Sequence, residues 1–283
     1  MVRTCSLLKM LNGGKNFHIR SIFLLFIGLG CSADETVPQV KNCRIGEMYF
    51  STPQRYSYMF GYNDDGTLKS ITSPNYTSRL DYKDGRVNTI ELLVGGNREV
   101  ITFEYPSENE ITWTSSKQYN GVTRQYYLYH TGDKVDSLKV VDPENLPLQE
   151  YAEYRSKVTY TNNNVVSIYS SSECCTNNFK NIENDNGLNP VTLLRQSTGV
   201  FNGYDILGYE FFGFMPEMLS LNNPTRYIQE YTQINETGTS TRNMVREFEY
   251  TYAQQGSYPI ELSQYVDGTL NGSTYHFVYE NCN

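Results

Sequence analysis

The chain has 283 residues, enough for one large or two modest globular domains, and its formal net charge of −8 argues against nucleic acid and anionic membrane surfaces as partners. Twenty-five tyrosines and an aromatic content of 14% favour strands over helices, because aromatic side chains suit a half-buried pleated surface. Composition therefore predicts a mainly β protein that does not bind nucleic acid.

Residues 1–30 predict a signal peptide. They carry four basic residues and no acid, and the apolar run at 22–29 leads into Gly30 and Cys31. About eight apolar residues are too few to cross a hydrocarbon core, which needs ~20, so export with cleavage is favoured over a transmembrane anchor. A start at Met10 instead of Met1 would give a more compact signal, and both starts stay open.

The residues IGLGC at 27–31 resemble the lipobox of bacterial lipoproteins, in which the cysteine is acylated and becomes the mature N-terminus. Gly28 departs from the usual larger aliphatic residue, and a plain signal peptide with an incidental cysteine is the alternative. The next residues, SADE at 32–35, are similar to the acidic export tag of surface lipoproteins in Bacteroidetes. The resemblance implies an outer-membrane lipoprotein exposed on the cell surface, with lipid on Cys31 and a tether at 31–42.

Loss of residues 1–30 would make the protein more acidic. It removes four of the 23 basic residues and none of the 31 acidic ones, so the net charge becomes 19 − 31 = −12. A protein with this net negative charge repels anionic polymers such as nucleic acid.

A recurrent phrase from residue 43 onward predicts a single β domain at 43–283. Each copy is a strand that ends in tyrosine, a polar turn, and an apolar residue that begins a returning strand. The copies are YNDDGTLKSI (62–71), YKDGRVNTI (82–90), YPSENEI (105–111), YHTGDKVDSL (129–138), YTNNNVVSI (160–168) and YAQQGSYPIEL (252–262). Strands before these turns alternate with period two, which is typical of antiparallel strands with one covered face. We expect a long antiparallel meander in which each tyrosine ring covers a neighbouring strand while its hydroxyl reaches solvent.

Asp64, Asp65 and Gly66 in the first copy could form a calcium loop or a tight turn. A calcium site needs six to eight oxygen ligands, and Thr67, Leu68 and Lys69 do not continue an acidic ligand pattern. Sister copies replace the acids with other polar residues, whereas every copy keeps the composition of a turn. The sequence therefore predicts a turn and no metal.

The phrase resembles the YD repeats of Rhs-type proteins, most closely in YKDGRVNTI at 82–90. A closer resemblance, over about residues 45–281, is to an uncharacterised family of Bacteroidetes lipoproteins with a porin-like fold. That resemblance depends on the tyrosine hairpins, on DILGYEFFGFMPEML followed by NNPTRY at 205–227, and on REFEYTYAQQGSYPIEL at 246–262. It implies a strongly curved or barrel-like antiparallel sheet and brings no catalytic residue.

Residues 171–225 interrupt the meander. We expect a polar loop first and then a partly helical apolar insertion around 190–221, with helical turns near 190–196 and 204–220. In a porin-like shape this apolar segment would plug one opening of the sheet. A patch that docks a partner or lipid is the alternative.

Four cysteines remain after those in the signal and the lipobox. In a closed or nearly closed meander the first and last strands are neighbours, so a disulfide is expected between Cys43 and Cys282. Cys174 and Cys175 would then be free or joined to each other. A zinc site is the competing interpretation, but the mature chain offers only His130 and His276 as further ligands and contains no CxxC pair.

No nucleophile, phosphate-loop or metalloprotease motif occurs, and no cofactor is expected. His130 is predicted to be solvated in a turn and His276 to lie in a strand. The sequence indicates a non-catalytic surface lipoprotein, not an enzyme, that binds a glycan or protein partner or has a structural role, with tyrosine rings as a possible sugar platform. The alternative is an extracellular hydrolase of glycosidase type that uses paired carboxylates, for which the strand acids are Asp81, Glu104, Glu247 and Glu249. A membrane pore ranks third, because these strands lack regularly spaced outward apolar residues.

Overall fold

The structure is a computed structural model that describes residues 43–50, 56–117, 122–141, 153–172, 174–198, 215–235, 238–253, 256–272 and 274–282. The predicted signal peptide, the acylated Cys31 and the tether at 31–42 lie outside the described residues, as does 199–214 within the apolar insertion. Among the described residues, no helix is long and apolar enough to cross a membrane.

Strands dominate the described part of the chain, which contains seventeen strands and two short helices. The strands are β1 Arg44–Phe50, β2 Tyr56–Tyr62, β3 Leu68–Ser73, β4 Tyr76–Lys83, β5 Arg86–Val94, β6 Asn97–Ser107, β7 Glu110–Lys117, β8 Val122–Thr131, β9 Lys134–Val141, β10 Glu153–Thr161, β11 Asn164–Ser171, β12 Cys175–Leu188, β13 Asn222–Asn235, β14 Gly238–Tyr252, β15 Pro259–Val266, β16 Thr269–Leu270 and β17 Tyr275–Glu280. The helices are α1 Val191–Thr198 and α2 Pro216–Leu219.

The strands form one closed antiparallel sheet. Each strand from β1 to β15 pairs with the next one along the chain, β15 pairs with β17, and β17 returns to pair with β1. The two-residue β16 pairs only with β15, so sixteen strands complete the ring. The predicted antiparallel, barrel-like meander is therefore confirmed as a closed barrel.

Short hairpin turns join most neighbouring strands. Residues 63–67 connect β2 to β3, where Asp65 Oδ1 accepts hydrogen bonds from Thr67 N at 2.9 Å and from Thr67 Oγ1 at 2.6 Å. Gly66 has φ +88°, a conformation that glycine adopts without steric cost. Asp64, Asp65 and Gly66 thus form the predicted turn, and Asp65 organises its backbone.

The inward positions of the strands form a packed apolar core. Strand alternation places about one residue in two inside the barrel, and a β-bulge near the start of β3 and of β5 keeps residues three apart on the inner face. Leu68 and Ile71 of β3 and Val87 and Ile90 of β5 are therefore all completely buried. These residues belong to one hydrophobic cluster that runs from Cys43 to Phe248 and includes leucines of both helices. In the described part of the chain the barrel interior is therefore packed mainly with apolar side chains, together with some buried polar ones such as Ser156 and Ser170, whose hydroxyls lie 2.8 Å apart.

The two helices lie at the end of the barrel where the tyrosine-ended strands turn. α1 packs against β1 and β3, α2 packs against β11 and β13, and the two helices contact each other. Arg195 donates hydrogen bonds to the backbone oxygens of Leu219, at 2.9 Å, and of Asp133 in the β8–β9 turn. The helical part of the insertion thus joins widely separated strands across the ring, and α1 matches the helix expected near 190–196.

The segment before the helices differs from the sequence-based expectation. Residues 175–188, predicted to be a polar loop, form the fourteen-residue strand β12 between β11 and β13. The sequence of β12 does not predict a strand, because its apolar residues that contact the core are almost confined to Phe179 and Ile182. Pairing on both sides, and not a hydrophobic face, stabilises this strand.

A disulfide links the two ends of the described chain. Cys43 precedes β1 and Cys282 follows β17, and their Cα atoms lie 4.1 Å apart. This pairing follows from the direct contact between the first and last strands. Cys174 and Cys175 form no disulfide and lie at the β11–β12 turn, where the Tyr231 hydroxyl is 3.1 Å from Cys175 Sγ.

Candidate functional site

The repeated tyrosines form a ring at the helical end of the barrel. The hydroxyls of Tyr62, Tyr82 and Tyr105 donate to the backbone oxygens of residues that begin or lie near the start of earlier strands. The bonds are Tyr62 to Ile45 at 2.8 Å, Tyr82 to Leu68 at 2.7 Å, Tyr105 to Val87 at 2.7 Å, Tyr250 to Pro224 at 3.0 Å and Tyr279 to Pro259 at 2.6 Å. The expectation that these hydroxyls reach solvent is wrong, because each of them is hydrogen-bonded to the backbone of a preceding strand.

Basic residues cover several of these rings. The guanidinium carbon of Arg44 lies 4.9 Å from the centroid of Tyr62, that of Arg86 lies 5.0 Å from Tyr105, and Lys134 Nζ lies 5.9 Å from Tyr160. Burial raises the pKa of Tyr105 to about 12, although the nearby Arg86 acts in the opposite direction. The tyrosines around this end of the barrel are thus hydrogen-bonded within the fold and offer little surface for a ligand.

His130 takes the equivalent inward position on β8. It is only 8% exposed, and its Nδ1 lies 2.9 Å from the backbone oxygen of Gly132. The prediction of a solvated His130 is therefore wrong, because its side chain faces the barrel interior at the position that tyrosine takes in other hairpins. His276 lies in β17 as predicted, stacked on Tyr49 at 4.6 Å with its Nδ1 3.2 Å from Glu261.

A buried polar pair connects α2 to the barrel wall. The hydroxyl of Tyr227 donates to Glu217 Oε2 at 3.1 Å, and both pKa values are raised, chiefly by burial. Arg246 lies on the neighbouring strand and donates from Nε to Gln229 Oε1 at 2.7 Å. We interpret this pair as a structural bond between plug and wall, because it faces the packed core.

The acids considered for hydrolysis lie on three strands, Asp81 on β4, Glu104 on β6, and Glu247 and Glu249 two residues apart on β14. Asp81, Glu104 and Glu249 are exposed on the outer side of their strands, and Glu249 accepts a hydrogen bond from Tyr265 at 2.9 Å. Glu247 lies 3.7 Å from Arg226 in a cross-strand ion pair. These contacts are those of solvated surface carboxylates.

The outer face of β8, β9, β10 and β11 carries a groove of about 550 Å³. Its polar and aromatic lining consists of Tyr129, Asp136, Lys139, Arg155, Lys157 and Tyr169, and the rest of the lining is serine and leucine. We call this feature the basic groove. It is an open depression on the barrel wall.

Strand register arranges the groove in two rows. In the first row, Tyr129 and Lys157 both lie opposite Ser137, and Lys157 lies opposite Tyr169. Three strand spacings separate the two tyrosines, which places their Cα atoms about 14 Å apart. The tyrosines therefore mark the two sides of the groove, and both are exposed, Tyr129 by 38% and Tyr169 by 50%.

The second row adds two cations to the Lys157 of the first row. Lys139 lies directly opposite Arg155, and Lys157 is two residues further along the same strand face as Arg155. The lining thus has three cations and one carboxylate, Asp136, a net charge of 3 − 1 = +2. Asp136 also accepts a hydrogen bond from Thr131 Oγ1 at 2.7 Å.

Sequence reasoning missed this groove. The signal was present in YRSKVTY at 154–160, where two cations alternate with buried residues, but its partner Lys139 lies on a different hairpin. Only the pairing of β9 with β10 brings the cations together.

Charged residues occupy the outer face elsewhere too. Arg79 lies 3.7 Å from Glu91 across β4 and β5, and Lys180 lies 2.6 Å from Glu230 across β12 and β13. Exposed apolar side chains are interrupted by such residues: Glu47 lies between Val278 and Met59 in one cross-strand row. Charged and apolar residues therefore alternate along this row of the described outer face.

Comparison with known proteins shows the fold. A crystal structure of a porin-like protein from Bacteroides vulgatus matches with a TM-score of 0.51 and 11% sequence identity, over 84% of this chain and 99% of that chain. A second porin-like protein, from Bacteroides uniformis, matches with a TM-score of 0.50 and 13% identity, over 83% of this chain and 96% of that chain. No protein-family model matches the sequence, and no curated protein matches it. The chain thus shares a porin-like barrel fold with these two proteins.

Proposed function

We propose that this protein is a non-catalytic lipoprotein of the outer membrane, held there by acylated Cys31, whose barrel stands in water at the cell surface and binds a glycan or protein partner. The lipobox-like IGLGC and the acidic SADE segment support the anchor and the surface location. The porin-like neighbours support the barrel fold on which this proposal is built.

The observation that carries the proposal is the distribution of polarity across the barrel wall. A barrel that spans a membrane presents an apolar band ~25 Å tall to lipid and keeps polar residues inside. Here most of the described inward residues are apolar and buried, while outward positions hold ion pairs such as Arg79 with Glu91. This polarity is the one expected of a barrel surrounded by water, so membrane attachment is assigned to lipid on Cys31.

A binding role follows from the contrast between the basic groove and the rest of the molecule. The groove is concave, positively charged and flanked by exposed aromatic rings, whereas the chain as a whole has a net charge of −8. Aromatic and charged side chains that converge on a concave surface are typical of recognition sites. The strand acids lie outside the groove lining, which favours binding over hydrolysis.

Fractionation of cells that express the Cys31→Ala variant tests the anchor. Two or three acyl chains hold a protein stably on a bilayer, whereas a single chain at ~0.8 kcal/mol per buried methylene binds only marginally. We expect the parent in the outer-membrane fraction, and we expect Cys31→Ala in the soluble fraction or unprocessed. Ser32→Ala, one residue further on, is the matched control and should fractionate like the parent.

A second variant tests surface exposure. Replacing both Asp34 and Glu35 with alanine should leave the protein lipidated and in the membrane fraction while reducing its cleavage by protease added to intact cells. If Cys31→Ala still partitions into detergent with the outer membrane, lipid on Cys31 is not the anchor. The apolar insertion at 204–221 would then be the first segment to examine for membrane contact.

A further inference from the structure

We propose that a free edge of strand β14 pairs with the same edge of a second copy of this chain, so that two barrels associate as a symmetric dimer. This inference goes beyond the proposed binding function and depends neither on the basic groove nor on lipid at Cys31. Three features of β14 carry it: an unpaired edge, the composition of that edge, and its ability to pair with itself.

Pairing between β14 and β15 stops halfway along β14. β13 pairs with residues 238–247 of β14, whereas β15 pairs only with residues 246–252. Asp267, in the turn after β15, closes that ladder: its backbone N–H donates to Val245 O, and its Oδ1 accepts from Val245 N, both at 2.8 Å. Among the described residues, no strand pairs with this side of residues 238–244, a stretch that we call the β14 edge.

The β14 edge presents backbone groups that are already in strand geometry. Val245 directs both its N–H and its C=O toward Asp267. Strand alternation therefore directs the N–H and C=O groups of Asn243, Thr241 and Thr239 to the same side. All three residues are exposed, and the residues between them direct their backbone groups to β13. Three donors and three acceptors thus lie in a row that matches a further strand.

The composition of the β14 edge offers little protection against strand pairing. Sheet edges are commonly protected by proline, by lysine, by a bulge or by a very short strand. The sequence GTSTRNM at 238–244 contains neither proline nor lysine, and its pairing with β13 has no register shift. Its threonines favour extended backbone, and Arg242 is its one charged residue. An edge of this kind is suited to pairing with another strand.

The β14 edge is complementary to itself. In an antiparallel pair with a two-fold axis at Thr241, this residue lies opposite the partner's Thr241, and Asn243 and Thr239 lie opposite each other on either side of the axis. These residues direct their backbone groups across the axis, which gives three opposed pairs with two hydrogen bonds each. Arg242 then lies opposite Ser240. Pairing centred on Arg242 instead would place two arginines directly opposite each other, which is unfavourable.

A second copy fits the edge better than a flexible peptide does. The β14 edge of a second copy is already extended, whereas a flexible peptide loses conformational entropy when it pairs. Tyr250 lies at the helical end of the barrel and the β14 edge at the other end of the same strand, so the two-fold axis directs the two helical ends away from each other. A two-fold contact also closes at two copies and does not grow into a fibre.

Cysteine cross-linking tests the register. Hydrogen-bonded positions of an antiparallel pair have Cα atoms about 5.5 Å apart, within the range of a disulfide. The full chain with Thr241→Cys, in non-ionic detergent, should form a disulfide-linked dimer on mild oxidation. Thr232→Cys is the matched control, because Thr232 lies opposite Thr241 on β13 and its copy would be three strand spacings, about 14 Å, away. Oxidised parent protein measures any cross-linking through the native cysteines.

Sedimentation velocity in the same detergent measures the association. We expect the mass of the parent particle to rise toward that of two copies as protein concentration increases. Thr241→Pro removes an N–H that faces the free edge and no bond to β13, so the barrel should stay folded while the dissociation constant rises by about tenfold or more. Thr241→Val loses the same hydroxyl but keeps the N–H, and it should associate like the parent. Thermal melting of both variants establishes that they are folded.

Four results would overturn the inference. A parent that stays monomeric at every concentration excludes the dimer, and equal cross-linking of Thr232→Cys and Thr241→Cys shows random collision. Association that is unchanged in Thr241→Pro places the contact on another surface. Binding of a synthetic peptide of residues 238–244 to a monomeric parent shows that the edge takes a separate extended segment. None of these results alters the fractionation of Cys31→Ala, so failure of the dimer and failure of the lipid anchor are distinguished.

Discussion

Replacing Tyr105 with phenylalanine tests whether the ring of tyrosines stabilises the barrel. The hydroxyl of Tyr105 donates to the backbone oxygen of Val87 at 2.7 Å, and Arg86 lies over its ring. Phenylalanine keeps the ring and its packing but removes the donor. A half-buried hydrogen bond contributes about 1 kcal/mol, so we expect the free energy of unfolding at pH 8 to fall by about that amount.

The same change predicts an effect of pH. Burial raises the pKa of Tyr105 to about 12, whereas an unfolded tyrosine titrates near 10, so above pH 10 the unfolded chain releases this proton first. The parent therefore loses stability as pH rises, by at most ~1.4 kcal/mol per pH unit before reduction for partial exposure. The phenylalanine variant lacks this contribution, and its deficit relative to the parent should shrink between pH 8 and pH 11.

Urea titrations at both pH values measure this difference. Trp113 is buried and stacks on Tyr126 with ring centroids 4.9 Å apart, so its fluorescence reports loss of the core. Tyr169→Phe is the control. It removes the same hydroxyl from a tyrosine that is 50% exposed on the outer face and does not belong to the inward-facing tyrosines. Equal stability of parent and Tyr105→Phe at pH 8, or a deficit that does not change with pH, would refute the structural role of the hydroxyl.

Two further changes test the closure of the barrel and its plug. Cys43→Ser with Cys282→Ser opens a loop whose ends are 239 residues apart, and the chain-entropy model predicts a loss of up to ~5 kcal/mol. The urea midpoint of this variant should match that of the parent in reductant, and a midpoint equal to that of the oxidised parent would contradict the prediction. Glu217→Gln keeps an acceptor for Tyr227 but removes a carboxyl whose pKa is raised by burial. Since a raised folded-state pKa means stability lost as pH increases above the unfolded value, this variant should gain more stability at pH 7 than at pH 4, and equal gains would count against burial as the cause.

Local patterns in the sequence are enough to predict where most of the hairpins lie and the order in which they follow one another. Tyrosine-ended strands, polar turns such as Asp64 to Gly66 and period-two alternation are local patterns, and each can be read within about ten residues. The prediction of a curved or barrel-like sheet depended on a resemblance to porin-like lipoproteins, because no local pattern indicates that the sheet closes. β12 escaped detection because its residues lack apolar alternation and it forms through pairing with β11 and β13.

Which side chains face one another across the strands depends on how the whole sheet pairs and closes. The hydroxyl of Tyr105 finds an acceptor 18 residues away, and Tyr129 and Tyr169 lie on one groove although 40 positions separate them in the chain. Lys139 and Arg155 meet because β9 and β10 pair in a register that places them opposite each other. Register depends on pairing among all neighbouring strands, and a shift of one residue would turn these cations toward the core. The basic groove is therefore a property of the closed sheet, since no single segment of the sequence contains it.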